Sequence, residues 1–346
     1  MEYIITTILL VISLYIYFPI AQKRNMLAGV NHRSSHTKPV ITGAGFIFFF
    51  SYVAYAICLW LSPQVVFPWP LFVGLTMLSV ISFVDDLEEV WFLWRLIAQV
   101  LGILLMLWQI GIALPQIVDF ESATFWIVGV VCLGLMVGLL NMFNFMDGLN
   151  GMLGSLVIAS LVPLWLINNY VTPFVDNQLI YFTAIPTLIF MFFNARKQAV
   201  CFSGDVGAIA VGFVMSYLVL LLVLQTGNVV FFAFFVMIFI EAGLTIIQRL
   251  FAGENIFKPH RIHLFQLLCN EGKRNHVLVS CCYGGIQLAV GLLIVAMNYY
   301  QMPQMYQHLL VWPIVGALAL TYLLYKRKKL GGHLLGYKEY LNKRPE

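Results

Sequence analysis

The chain has 346 residues, 61% of them hydrophobic and only 10% charged, with a mean hydropathy of +0.90. That is far more apolar than a soluble core can absorb, which excludes a water-soluble enzyme and predicts an all-α polytopic integral membrane protein. The net charge of +4 calls for no nucleic acid, because orientation in a bilayer and anionic headgroups account for it. A crossing helix takes about 20 apolar residues, and about eleven runs approach that length. The first, Ile4 to Ala21, has its positive charges after it, the reverse of a cleavable signal peptide, so it is read as a retained helix. Then come Gly43 to Leu61, Leu71 to Val84, Phe92 to Ile110, Phe125 to Leu140, Met152 to Ile167, Leu179 to Phe193, Ala208 to Leu224, Val230 to Leu250, Val277 to Met297 and His308 to Tyr325. With the N-terminus outside, all 19 Lys and Arg residues fall in inner segments. That pattern places the C-terminus in the cytoplasm. Nothing remains for a separate soluble domain, so residues 1–346 are expected to form one transmembrane domain ending in a basic tail, 326–346, read as a headgroup contact. The six cysteines show no spacing suited to zinc or to a disulfide framework.

Chemistry gathers in the inner segments. The first inner loop ends His36-Thr-Lys-Pro-Val-Ile-Thr-Gly-Ala-Gly45, where Pro39 and the glycines break the helix and Lys38 supplies an ammonium. It suits an anionic ligand, or simply an anchor. The third run ends in Asp85-Asp86-Leu-Glu-Glu89. Adjacent carboxylates at the end of an apolar helix need water, a partner or a metal, and their repulsion can raise one pKa. Arg95 is the partner that would make the pair merely structural. Asn141-Met-Phe-Asn-Phe-Met-Asp-Gly-Leu-Asn-Gly151 packs three amides and a carboxylate into one turn. Asn144 and Asp147, three apart, offer oxygens to a hard cation or a sugar hydroxyl; the alternative is a self-bonded polar turn.

The next inner loop, Asn194 to Gly207, offers the aromatic face of Phe202 and the carboxylate of Asp205. Its helix start suits a phosphate, or Asp205 caps that helix. The GxxxxGK[ST] pattern is absent. Glu241 lies inside the ninth run and needs a partner, such as Gln248 or a catalytic residue, or a water-filled cavity. The longest inner loop carries Lys258-Pro-His260-Arg261-Ile-His263. No Cys or acid completes a zinc set there, and Arg and His donors for a diphosphate are the better reading. The outer acids Glu2, Asp119, Glu121 and Asp176 stand apart from basic residues. One inner active site fits this distribution better than a transport path, which needs polar groups near the midplane. A transporter, with Glu241 as its intramembrane acid, is the alternative.

In their order, His36-Thr-Lys-Pro…Gly43-Ala-Gly, Asp85-Asp86, Asn141-x-x-Asn144-x-x-Asp147-Gly-Leu-Asn-Gly151, Gly204-Asp205-x-Gly207 and Pro259-His-Arg-x-His263 resemble the polyprenyl-phosphate N-acetylhexosamine-1-phosphate transferases. That family includes the undecaprenyl-phosphate GlcNAc-1-phosphate transferase and the phospho-MurNAc-pentapeptide translocase. The resemblance covers about residues 20 to 275, a catalytic core. It implies Asp205 and Asn144 on Mg2+, with Mn2+ as an alternative ion, and Asp85 and Asp86 as the essential acidic pair. It also implies Phe202 stacked on uracil with Asp147 and Asn150 nearby, Lys38 near the phosphate or uridine, and His260, Arg261 and His263 on the diphosphate and sugar. The implied reaction transfers N-acetylhexosamine 1-phosphate, with GlcNAc the leading sugar, from a UDP-sugar to undecaprenyl phosphate. The implied setting is the cytoplasmic side of a bacterial inner membrane, with room for a homodimer. Another N-acetylated or 6-deoxy UDP-sugar stays open. Two departures bear on the substrate. Asn150 stands where many bacterial members carry Asp, and Pro-His-Arg-x-His replaces the consecutive histidines of the MurNAc-pentapeptide enzymes, which argues against that substrate.

Overall fold

Residues 1–28, 39–62, 67–88, 90–255 and 262–330 are described by a computed structural model. Lys38, His260, Arg261 and the tail beyond residue 330 lie outside them. In lipid every peptide group must find its partner within the chain, so an apolar run becomes a helix. Each predicted run does so: α1 (Glu2–Lys23), α2 (Phe46–Trp60), α3 (Trp69–Leu87), α4 (Phe92–Ala113), α5 (Ala123–Met146), α6 (Met152–Tyr170), α7 (Asn177–Asn194), α8 (Gly204–Thr226), α9 (Val229–Phe251), α10 (His276–Tyr299) and α11 (Gln304–Lys329). Among the described residues nine helices are long and apolar enough to cross a membrane; α2 and α7 fall short of that. The sheet among them is one short antiparallel pair, β1 (Leu27–Ala28) with β2 (Val40–Ile41).

The helix α8 is the centre of the bundle. Its apolar stretch is buried throughout, and α2, α3, α5, α6 and the start of α9 surround it. By contrast α1, α5 and α11 turn most of their apolar surface outward, as lipid-facing helices do. Hydrogen bonds between helices tie the interior where hydrophobic burial gives little preference for one neighbour over another. Gln287 of α10 donates to the Leu156 carbonyl and to Ser160 Oγ of α6, each at 2.8 Å. Ser51 of α2 donates to the Phe182 carbonyl of α7 at 2.6 Å.

Along α9 the helix changes form, with a 3-10 start over Val229–Phe235, a π turn over Phe239–Gly243 and an α-helical end over Leu244–Phe251. Lys326 departs from expectation. The sequence places it at the start of a headgroup-facing tail, but it lies in the last turn of α11, fully buried, donating to Thr245 Oγ1 at 2.8 Å.

Candidate functional site

The site is built at the N-terminus of α8. Gly204 turns the chain into that helix with φ +70°, a left-handed backbone that favours glycine, and a Cβ there would run into the Asp86 carboxylate. Asp86, in the last turn of α3, accepts the backbone N–H of Asp205 at 2.8 Å and of Val206 at 3.1 Å. A carboxylate suits this position because the first amides of a helix have no partner in their own helix. Two expectations change here. These amides are taken by Asp86 and are not free for a phosphate, and the cap comes from Asp86 on another helix, not from Asp205.

Around this contact the other acids assemble. Asp85 accepts the Val90 N–H at 2.8 Å and Arg95 Nη1 at 2.6 Å, and the same Nη1 lies 3.6 Å from Asp205 Oδ2. Asn144, in the last turn of α5, has its side-chain amide beside the Asp205 carboxylate. Asp147, just past that helix, accepts a short hydrogen bond from Ser203 Oγ. Loss of hydration pushes the Asp147 carboxyl up to about 7; the Ser203 hydroxyl pulls it back, and the Asp205 and Asp86 carboxylates add to the rise. The ends of α3 and α5 and the start of α8 thus bring Asp85, Asp86, Asn144, Asp147 and Asp205 into one acidic recess, with Arg95 from α4 among them.

Phe202 borders the recess, half-buried. Its N–H donates to the Ile41 carbonyl at 2.7 Å, its carbonyl accepts from Ala44 at 3.1 Å, and Gly45 donates to the Ser203 carbonyl at 2.8 Å. The residues that follow Lys38 are therefore laced to the loop that carries Phe202 and Ser203. Lys38 itself, like His260 and Arg261, lies outside the described residues.

Asn150 and His263 stand behind the surface of the recess. Asn150 is 5% exposed and donates its amide to the Arg196 carbonyl at 2.8 Å. At this position an amide donor therefore holds the loop that carries Arg196. His263 is 3% exposed, with Nδ1 3.2 Å from Glu241 Oε1.

The motif reading gave no site role to Ser203 or Asn194. Ser203 lies between Phe202 and Gly204, so its place in the same loop was the available signal. Asn194 accepts the Gly151 N–H at 2.6 Å and donates to the Cys201 carbonyl at 2.9 Å, joining the two loops that form the recess. Its amide at the end of an apolar run was the corresponding hint. Arg95 was read only as a structural partner, yet it faces two carboxylates at once with 42% of its side chain exposed.

The donors fit a hard divalent cation. Asp205 and Asn144 stand side by side and are the residues that could hold it, with the Asn144 amide turned to offer its oxygen; no group of three His, Cys, Asp or Glu side chains is close enough to hold an ion among the described residues. Mg2+ is commonly held in this way, by one or two carboxylates plus phosphate oxygens and water.

Fold and recess together define the class: an all-α polytopic membrane protein with an acidic site at one end of its helix bundle. Residues 68–223 match the family model of Glycosyl transferase family 4. The resemblance to the polyprenyl-phosphate N-acetylhexosamine-1-phosphate transferases holds over this segment. Curated relatives include the phospho-N-acetylmuramoyl-pentapeptide-transferase of Fervidobacterium nodosum, 28% identical over 149 residues, which are 41% of this chain and 46% of the relative. Proteins of the same name from Kosmotoga olearia (31% identical, 39% of this chain and 41% of the relative) and Thermotoga neapolitana (30%, 40% and 46%) are similar too. The chain spans less than half the length of each of these relatives.

Proposed function

We propose that the protein transfers N-acetylhexosamine 1-phosphate, GlcNAc 1-phosphate foremost, from a UDP-sugar to undecaprenyl phosphate, releasing UMP. The observation that carries this reading is the meeting of Asp85, Asp86, Asp147 and Asp205 with Arg95 at the head of α8. The bilayer supplies the acceptor, and the 19 basic residues of the inner segments support a cytoplasmic face of a bacterial inner membrane for the site.

An oxygen of the lipid phosphate attacks the sugar-linked phosphorus in line. The new P–O bond forms as the bond to the UMP oxygen breaks, and UMP leaves with the electron pair. Phosphoryl transfer of this kind asks mainly for positioning and charge stabilisation. Mg2+ or Mn2+, bound to Asp205 and Asn144, would supply positive charge against the diphosphate. Asp85, held by Arg95 and the Val90 amide, keeps Arg95 beside Asp205. Asp86 holds the start of α8 and with it the orientation of Asp205. Phe202 offers a face for the uracil ring, with Asp147 beside it. Lys38 and Arg261, placed by sequence alone, add cationic charge for the phosphates, and His260 a donor for the sugar.

The test is UMP release from UDP-GlcNAc by the purified chain, with and without undecaprenyl phosphate and Mg2+. Release that needs all three supports the reading; none with any UDP-N-acetylhexosamine overturns it. A second donor, UDP-MurNAc-pentapeptide, belongs in the same assay, because the relatives named above bear that activity in their names. The Pro259-His-Arg-x-His263 pattern favours the smaller sugar.

A further inference from the structure

Glu241 occupies a position where a lone carboxylate is costly: the π turn of α9, with no exposed surface. Groups from three other parts of the chain converge on it. Its Oε1 accepts the Leu264 N–H at 2.8 Å and the Tyr322 hydroxyl of α11 at 2.8 Å, and lies 3.2 Å from His263 Nδ1. Its Oε2 accepts a short hydrogen bond from the Tyr283 hydroxyl of α10. Behind Tyr322, the buried Lys326 ammonium donates to that hydroxyl at 3.1 Å. A π turn often marks a functional position in a helix, because the extra residue re-aims a side chain. Here it aims a carboxylate at the point where three elements meet.

Two routes lead from this cluster to the recess. His263 is stacked on Phe265, with ring centroids 5.1 Å apart and planes 9° from parallel. The Phe265 ring in turn sits over Gly148, where a Cβ would come within 2.8 Å of it. Gly148 directly follows Asp147. Along α10, Ser280, three residues before Tyr283, donates to the Asn150 carbonyl at 2.9 Å. The turn from Asp147 to Gly151 is thus pressed from one side by Phe265 and held from the other by Ser280, and both holders are fixed to one carboxylate.

We propose that Glu241 is a positioning residue. Its charge docks the segment from Ile262 to Glu271, together with α10, onto the Asp147–Gly151 turn and so sets where the Asp147 carboxylate stands, without contact to substrate. The proposal rests on the transferase reading for its kinetic consequences but not for its structural one. A cluster serving only to hold helices together would, when weakened, lower thermal stability and the folded fraction and leave the Michaelis constants of the remaining enzyme alone. A positioning role predicts a split between the two substrates, since Asp147 lies on the nucleotide side.

The test uses the full chain and its Glu241→Gln, Tyr322→Phe and Gly148→Ala variants, with activity normalised to folded protein. Glu241→Gln keeps the size of the side chain and removes its charge. Its kcat/KM for UDP-GlcNAc is expected to fall about tenfold to a hundredfold, the range for displaced reacting groups, while KM for undecaprenyl phosphate stays within about twofold. Gly148→Ala, which pushes Phe265 away without touching Glu241, should give the same split, and the double variant less than the product of the two. Loss of thermal stability alone, or equal shifts in both KM values, would overturn the proposal. Should Glu241→Gln fail to fold, Tyr322→Phe removes one hydrogen bond from the carboxylate and should show the same split in smaller measure; unchanged constants there overturn it. Hydrogen exchange of the 144–151 peptide is the second readout: faster in Glu241→Gln supports positioning, unchanged refutes it. Absence of UMP release by the unaltered chain would refute the transferase reading, and the exchange result would still decide this one.

Discussion

The contact between Gly204 and Asp86 gives the sharpest prediction. In Gly204→Ala the backbone must hold φ +70° with a Cβ, at about 1 kcal/mol. The methyl also occupies the place of the Asp86 carboxylate. Moving that carboxylate gives up its two bonds to the Asp205 and Val206 amides, each about 1.5 kcal/mol for a charged acceptor. The total is about 4 kcal/mol. A matched control stands at the other end of the same helix. Gly227 has φ +67° and nothing near its would-be Cβ, so Gly227→Ala carries only the backbone cost, about 1 kcal/mol. Thermal unfolding of both variants in one detergent, alongside UMP release, isolates the displacement of Asp86 as the difference, about 3 kcal/mol. Gly204→Ala should also lose at least about a hundredfold in activity, because Asp205 moves with the start of α8. Equal melting temperatures for the two variants would refute the capping argument.

Asp205→Asn is expected to abolish UMP release at any Mg2+ concentration while the protein still folds; near-original turnover would refute the metal assignment. Arg95→Gln should barely change the melting temperature, since half-exposed ion pairs contribute about 0–1 kcal/mol, but should slow turnover about tenfold or more by leaving Asp85 and Asp205 without their shared cation; unchanged kcat would make Arg95 structural. The Asp147 carboxyl, near 7 when folded and 3.8 as a free group, stabilises the fold fully only below the lower value. Stability is lost as pH rises from there through about 7. In EDTA, the melting temperature of Asp147→Asn relative to the unaltered chain should therefore increase between pH 5 and pH 8, and a constant difference would refute the raised pKa.

The helices were legible because the runs from Ile4 to Tyr325 leave the backbone no alternative in lipid. The candidate residues were legible as residues: Asp85, Asp86, Asn144, Asp147 and Asp205 are polar where their neighbours are apolar. Their partners were not. Asp86 caps a helix 119 positions further along the chain, and no local pattern marks which of two adjacent aspartates turns inward to do so. Lys326 looked like the first residue of a solvated basic run, and only the assembled bundle shows that Tyr322 and Thr245 enclose it. For Glu241 the demand for a partner was readable, but neither Gln248 nor a catalytic residue supplies it; His263, Leu264, Tyr283 and Tyr322 do. Such pairings are set by packing across distant segments, where periodicity and spacing carry no information.

The enclosure of α8 has a mechanical consequence. The helix that carries Asp205 at its tip has protein on every side, so changes in bilayer thickness or acyl composition do not press on it directly. They reach the acidic recess only after transmission through the outward-facing shafts around it. Annular lipids can thus vary while the clustered carboxylates keep a common frame.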